Sequence, residues 1–416
     1  MRRHVDEGFG AAQFLPTFDQ IEKWVNFVPS GASEQFSSSE ITLTNWKDFP
    51  FSTHTFQNVA ELIPVKAIQG TKKFSFPREI QGELLASSYQ LSGQLSTGLE
   101  ILEQTFTDAL IVCKNGVIVS EYFSNGMKED SQHLTFSVSK SITGIVAGII
   151  LKEYQVSADS LISDYLVGTE GGAYADATIR NLLDMTVSLD FDESYASKEG
   201  IYARYRQAML WMPRSSGGEY SDENLEQFIL SLPKAEVEHG FRFSYNSPNT
   251  DLLGLVLEKI SNQPLAELIS ETLWKKIGCG KATITVDEKE MARTAGGLSC
   301  SIQDLAIVGE LMRGGGILNG EVVIDPMWVI DTYSRGDHEP WKRGEFFESF
   351  PEGSYRNQWY SIGEGQLCAI GIHGQWIYIN APAGVVICKF SCQPKADDDE
   401  LDRTTLEFFR QISARI

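Results

Sequence analysis

Runs that read as β-strands stand on either side of a long stretch of helical pattern, and this arrangement limits the fold more than any other feature of the sequence. In the first strand region, Leu110 to Cys113 and Val117 to Ser120 are apolar runs separated by Lys114-Asn115-Gly116. The Asn-Gly pair supplies the positive φ that a tight hairpin turn demands. Far downstream, Leu367 to Ile379 and Val385 to Ser391 are strand-like, joined by Asn380, Ala381, Pro382, Ala383 and Gly384. Between these regions, residues 160–270 alternate helical segments with Gly/Ser/Pro loops and show no clear strand. Strands at both ends with helices between them predict an α+β fold with a largely antiparallel sheet. The helical pattern is plainest from Ser137 to Glu153, where Ile142, Ile145, Val146, Ile149 and Ile150 recur at helical spacing. A Gly-Gly-Leu-Ser segment at 296–299 opens a second helical stretch, Ile302 to Met312. A last helix carries Leu401, Thr405, Phe408, Ile412 and Ile416 on one face. Residues 1–43 read as a polar, irregular extension with one short amphipathic stretch, Phe18 to Phe27, and residues 45–90 carry no regular pattern.

Charge and composition narrow the functional classes. The chain has 416 residues, with Lys+Arg 35 against Asp+Glu 56, a formal net charge of −21. With no basic cluster, nucleic acid and anionic membranes are excluded as partners. The most apolar helical run, Gly144 to Leu151, is far too short to span a bilayer. No apolar targeting segment follows the basic start of the chain, which predicts a cytoplasmic protein. The six cysteines are scattered without a C-x-x-C pair, as expected of buried, reduced thiols. The histidines are equally dispersed, so no metal site is expected.

Three segments carry residues suited to chemistry. Ser137-Val138-Ser139-Lys140 fits S-x-x-K at a helix start, where positions i and i+3 share a face and the hydroxyl and amine can meet. A serine hydroxyl needs a base, and a lysine serves only if its pKa is lowered. The helix N-terminus also offers N–H groups to a developing oxyanion. The plainer reading is a serine cap followed by a solvated lysine. A second match, Ser231 to Lys234, contains Pro233, which closes its helix and separates the pair. Tyr245-Asn246-Ser247-Pro248 precedes another helical run, with Pro248 suited to the first turn. A tyrosine there could project into a cleft and, beside an ammonium, lose its proton more readily; the alternative is a packed loop tyrosine. Ala369 to Gly374 is a glycine-bearing strand, and glycine in a strand often marks close approach by a ligand. His373, alone on that strand, reads as structural.

In this order the three segments resemble the serine β-lactamase/penicillin-binding-protein superfamily. Ser137 to Gly144, Leu183 to Thr186, Phe191 to Tyr195, Tyr245 to Gly254, Gly296 to Cys300, Phe350 to Tyr355 and Gly371 to Gln375 are similar to one branch of it, the 6-aminohexanoate-dimer hydrolases. That branch stands close to class C β-lactamases and β-lactamase-like carboxylesterases. The resemblance runs from about Thr44 to the C-terminus. It implies an antiparallel sheet flanked by helices, with an inserted helical domain. The expected organisation is an extension at 1–43, a discontinuous catalytic domain at 44–160 and 275–416, and a helical domain at 161–274.

The resemblance also implies roles. Ser137 is the nucleophile, Lys140 and Tyr245 share its proton, and Tyr245 protonates the leaving group. The N–H groups of Ser137 and Ile372 form the oxyanion hole. Ser247 orients the lysine, Tyr195 closes over substrate, and Trp359 lines the pocket. No cofactor is implied; the partner is a small amide or ester, and a homodimer is possible. Two departures stand out. Penicillin-recognising members carry Lys-Thr-Gly on the late strand, where this chain has Ala369-Ile370-Gly371. An acid follows the Tyr195 position in active dimer hydrolases, whereas here Arg204 is expected near the pocket, with only Glu199 nearby. A non-catalytic member of the fold is disfavoured by the joint presence of Ser137, Lys140 and Tyr245. An α/β-hydrolase is disfavoured because no G-x-S-x-G elbow occurs.

Overall fold

The structure, a computed structural model, describes residues 40–91, 93–195, 197–214, 220 and 222–416. The amphipathic stretch Phe18 to Phe27 lies outside the described residues. The elements that position the site are the strands β1 (Val65–Ile68), β2 (Thr107–Lys114), β3 (Val117–Phe123), β4 (His133–Leu134), β5 (Ala282–Thr285), β6 (Leu298–Cys300), β7 (Ser354–Arg356), β8 (Trp359–Gly363), β9 (Gln366–Gly371), β10 (Gln375–Asn380) and β11 (Val385–Ser391). The helices are α1 (Val138–Glu153), α2 (Gly200–Ala208), α3 (Ser247–Ser261), α4 (Ile302–Arg313) and α5 (Asp399–Arg415).

Strands from the two ends of the chain form one antiparallel sheet in the order β7-β8-β9-β10-β11-β2-β3. A smaller antiparallel sheet has the order β1-β5-β6-β4. Alternation along β2 gives the large sheet two apolar faces. Ala109, Ile111 and Cys113 enter a core shared with α1 and α4. Leu110 and Val112 enter a second core, closed by Leu406, Phe408, Phe409 and Ile412 of α5. The sheet is thus flanked by helices on both sides. Named elements between Val138 and Trp274 are all helical.

Three local readings change. Leu367 to Ile379 is two strands rather than one: β9 and β10 are joined by Ile372, His373 and Gly374, with Gly371 opposite Gln375. The chain turns there because His373 and Gly374 both adopt positive φ. Before α4, Leu298 to Cys300 is a strand that pairs with both β4 and β5. Ile41, assigned to the N-terminal extension, is buried in the main core. All six cysteines are buried and unpaired. No helix among the described residues is long and apolar enough to cross a membrane.

Helix α1 is buried on almost every face, which is why its sequence is apolar all round. Gly144 is the point of closest approach between α1 and the β7–β8 turn. A Cβ on Gly144 would stand 2.2 Å from the Asn357 carbonyl oxygen. That turn cannot easily retreat: Ser141 Oγ donates to the Gln358 carbonyl, and Gln358 Nε2 donates to the Leu182 carbonyl, each at 2.7 Å. Gly144→Ala is therefore expected to cost about 1–3 kcal/mol by overpacking, read as a lower urea or thermal midpoint. An unchanged midpoint would show that the turn yields freely.

Candidate active site

Ser137 occupies the N-cap of α1 but makes no capping bond with its side chain. Its Oγ instead accepts a hydrogen bond from Lys140 Nζ at 2.8 Å. The residue before it, Phe136, has φ of 45°, a conformation that a bulky side chain rarely adopts. Packing holds it there: the Phe136 ring contacts Trp46, Phe56, Trp211 and His373. One turn of helix then brings residue 140 under residue 137.

Lys140 is 1% exposed. Its ammonium also donates to the Ala295 carbonyl at 2.8 Å and lies 4.8 Å from the Tyr245 ring centroid. Burial lowers its pKa to about 7, and the positive Arg293 pulls the same way, while the carboxylates of Glu193 and Asp251 oppose them. The lysine is therefore poised to lose its proton near neutrality, as a base for Ser137 requires. Ala295 is itself anchored, because its N–H donates to Asp251 Oδ1 at 2.8 Å, and Asp251 is ion-paired with Arg293.

Tyr245 stands just ahead of α3, which opens with Pro248 in its first turn. Its ring stacks on Tyr360 with centroids 6.1 Å apart and meets Tyr355 edge-on. Burial raises its pKa above the usual tyrosine value, and the neighbouring hydroxyls of Ser137 and Tyr360 only partly oppose this. The expectation that a nearby ammonium would make this phenol acidic is thus reversed: desolvation wins, and Tyr245 stays protonated.

Gly371 brings strand β9 against the start of α1, where a Cβ on it would lie 3.0 Å from the Ser137 nitrogen. The N–H groups of Ser137 and Ile372 donate to no other group among the described residues. A cleft of about 980 Å³ includes Ser137, Tyr195, Tyr245, Tyr360 and Ile372 in its lining.

Other expected site residues are placed elsewhere. Trp359 is 1% exposed and points into the main core, so strand alternation puts its neighbour Tyr360 on the cleft instead. Ser247 does not contact Lys140 through a hydrogen bond; its Oγ and N–H both bond the Glu193 carboxylate, each at 2.5 Å. Ala295 holds the lysine in its place. Arg204 turns away from the cleft: its Nε donates to Glu223 Oε2 at 2.6 Å, and its guanidinium lies 3.9 Å from the Tyr220 ring centroid. Its neighbour Tyr205 is buried and donates to Asp251 Oδ2 at 2.5 Å. Lys234 pairs with Asp176, far in function from Ser231, whose hydroxyl bonds the Phe228 carbonyl.

Of the carboxylates that act on Lys140, Glu193 has the larger influence; the sequence did not single it out although it lies two residues before Tyr195. Asp251, Arg293 and Ala295 were missed too. Only the spacing of a charge next to an aromatic loop hinted at Glu193; nothing marked the other three as neighbours of Lys140.

A buried Ser–Lys pair on a central helix, with Tyr245 from the helical region and the turn after β9 lining the same cleft, is the arrangement of a serine hydrolase of the β-lactamase-like class. The family model Beta-lactamase matches residues 100–409, and the chain belongs to that family. It is 31% identical over 364 residues to 6-aminohexanoate-dimer hydrolase of Paenarthrobacter ureafaciens, covering 87% of this chain and 90% of that one. Among solved structures, a Bacillus anthracis protein named for 6-aminohexanoate-dimer hydrolysis superposes with a TM-score of 0.83 at 24% identity, over 91% of this chain and 98% of that chain. EstCE1, a hydrolase with promiscuous acyltransferase activity, gives 0.59 at 16% identity, over 76% of this chain and 96% of that chain. At these identities the two structures establish the shared fold alone.

The electrostatics generate a pH prediction. Labelling of Ser137 by a serine-directed phosphonate should accelerate as Lys140 deprotonates, with a midpoint near its pKa of about 7, and level off above it. The Glu193 carboxylate favours the ammonium form, so Glu193→Gln should move that midpoint to lower pH. A midpoint unmoved, or moved upward, would remove Glu193 from the field felt by Lys140.

Proposed function

We propose that this chain is a cofactor-free serine hydrolase that forms an acyl-enzyme on Ser137 and cleaves small linear amides of the 6-aminohexanoate-dimer kind and short-chain esters. The observation that carries this reading is the 2.8 Å bond between Ser137 Oγ and the buried nitrogen of Lys140. Neutral Lys140 takes the hydroxyl proton as Ser137 attacks the substrate carbonyl. The oxyanion accepts hydrogen bonds from the N–H groups of Ser137 and Ile372. Tyr245, protonated at neutral pH, gives its proton to the leaving amine and is reprotonated from Lys140. Water then attacks the acyl-enzyme and gives a proton to neutral Lys140, and as the tetrahedral species collapses that proton passes to the departing Ser137 Oγ, which frees the carboxylic acid and restores both residues.

The linear-amide substrate follows from the similarity to the Paenarthrobacter enzyme. β-Lactams fit less well. Ile370 faces the cleft beside the buried Ala369, and neither offers a cation to a substrate carboxylate. The missing charge-assisted hydrogen bond is worth about 1.5–3 kcal/mol. Six buried free thiols suit a reducing compartment, and the cytoplasm is the proposed location.

A panel of linear amides, p-nitrophenyl esters and nitrocefin tests the reading. Amides and esters should be turned over and nitrocefin scarcely. Esters alone would make the protein a carboxylesterase. Ser137→Ala should lower turnover by at least about a thousandfold with the fold intact; a tenth of the activity remaining would place the nucleophile elsewhere. Tyr245→Phe should reduce amide turnover about tenfold more than ester turnover, because an amine leaving group depends more on protonation. Equal losses would deny Tyr245 that role.

A further inference from the structure

The Ile372 N–H sits on a three-residue turn between β9 and β10, and such a turn does not hold one geometry by itself. His373 has φ of 62° and Gly374 of 85°. A left-handed histidine is a strained choice that persists only where its surroundings enforce it. What surrounds this turn is a buried polar frame, and Gln375 is at its centre.

Gln375 opens β10 and is fully buried. Its Nε2 reaches the His373 carbonyl at 3.0 Å, the Ile372 carbonyl at 3.4 Å and the Ser391 carbonyl at 2.6 Å. Its Oε1 accepts from the Ser391 N–H at 3.1 Å. One side chain therefore ties two carbonyls of the turn to β11, in the middle of the large sheet. Other contacts close the frame. The His373 N–H donates to the Ala396 carbonyl at 2.8 Å, and the Gln393 N–H donates to the His373 carbonyl at 3.2 Å. The buried ammonium of Lys389 reaches the Gly374 carbonyl at 3.4 Å. Ile372 itself lines the cleft together with Ser137, and its N–H has no acceptor among the described residues.

We infer that Gln375 is a positioning residue for the reaction: by gripping the Ile372 and His373 carbonyls it holds the Ile372 N–H in register with the Ser137 N–H, so that both meet the oxyanion. This rests on the acyl-enzyme reading. A donor fixed before the reaction begins stabilises the transition state without reorganisation, and losing one such donor typically costs 10²–10³ in kcat. A donor displaced rather than deleted should cost less.

The test compares a p-nitrophenyl ester with its thionoester, in which sulfur replaces the carbonyl oxygen. Thiocarbonyl sulfur accepts hydrogen bonds poorly, so an enzyme with an aligned oxyanion hole strongly prefers the oxygen ester. Gln375→Leu keeps the bulk and removes the bonds; Gln375→Glu keeps the shape and the acceptor but removes the Nε2 donor, and it decides the matter if the leucine variant does not fold. In either variant kcat for the ester should fall about 10- to 100-fold, with KM changed less than about twofold. The ester-to-thionoester ratio should fall with it, which a merely structural role would not produce. An unchanged kcat, or an equal loss on both substrates, overturns the inference. Phosphonate labelling of the wild type, mapped by mass spectrometry, separates the two levels. A label on Ser137 with an unchanged ratio in the variants removes only the role of Gln375. A label on another residue removes the acyl-enzyme reading and this inference with it.

Discussion

The site depends on burying the Lys140 nitrogen. A charged ammonium is costly in a low-dielectric interior, and a protein meets that cost by pairing the charge or by letting the proton go. Among the described residues no carboxylate touches it. Its direct partners are the Ser137 hydroxyl and the Ala295 carbonyl. Glu193 and Asp251 act on it only through space, and Arg293 opposes them. The result is a lysine held near the point of losing its proton. A carboxylate in direct contact would have held the proton on, leaving Ser137 without a base at neutral pH.

That balance explains why distant segments converge on the site. Asp251 on α3 anchors both Arg293 and the Ala295 N–H, and so fixes the carbonyl that receives the lysine. Glu193 clamps the start of α3 through Ser247, and the loop that bears it also carries Tyr195. The helical region thus sets the charge felt by Lys140 as well as supplying Tyr245. A substitution in this region can change the protonation of the site without touching Ser137.

The parts of this arrangement that depend on local order were legible in the sequence. The Ser137–Lys140 pair follows from helical spacing, the 110–120 hairpin from its Asn-Gly turn, and the antiparallel sheet from the strand runs at both ends. Features that depend on which segments meet were not legible. The 372–374 turn hides inside a largely apolar run, because β9 and β10 are both buried and only the short Gly371–Gln375 stretch, with its two glycines, His373 and Gln375, breaks the pattern. Trp359 and Tyr360 are adjacent aromatics, and their faces depend on the strand's register, which the hairpin partner sets. Arg204 was expected at the cleft because it follows Tyr195 in sequence, but it belongs to a helix whose other contacts, Glu223 and Tyr220, draw it outward. The acidity of Tyr245 was misread for a related reason: proximity to an ammonium is visible from motifs, whereas the depth of burial that outweighs it is a property of the assembled fold.

The two N–H groups proposed as oxyanion donors share one device. Each lies next to a non-glycine residue in the left-handed region, Phe136 before Ser137 and His373 after Ile372. These two rings contact each other, with centroids 5.3 Å apart, and both contact Phe56. A strained residue is stable only where packing leaves it no alternative. Here the same aromatic cluster constrains both, so the helix start and the strand turn are fixed relative to one another and not merely each within its own element. His373 adds to this without taking part in proton transfer: burial lowers its pKa to about 3, so it remains neutral while its Nδ1–H donates to the Gln393 carbonyl at 2.7 Å. This histidine, packed against the residue before Ser137, is thus a spacer, and the proposed proton chemistry falls to Lys140 and Tyr245. On the proposed reading, aromatic packing fixes the helix start against the strand turn and buried polar bonds hold the turn itself, and donors fixed in advance are the requirement for stabilising charge that appears only in the transition state.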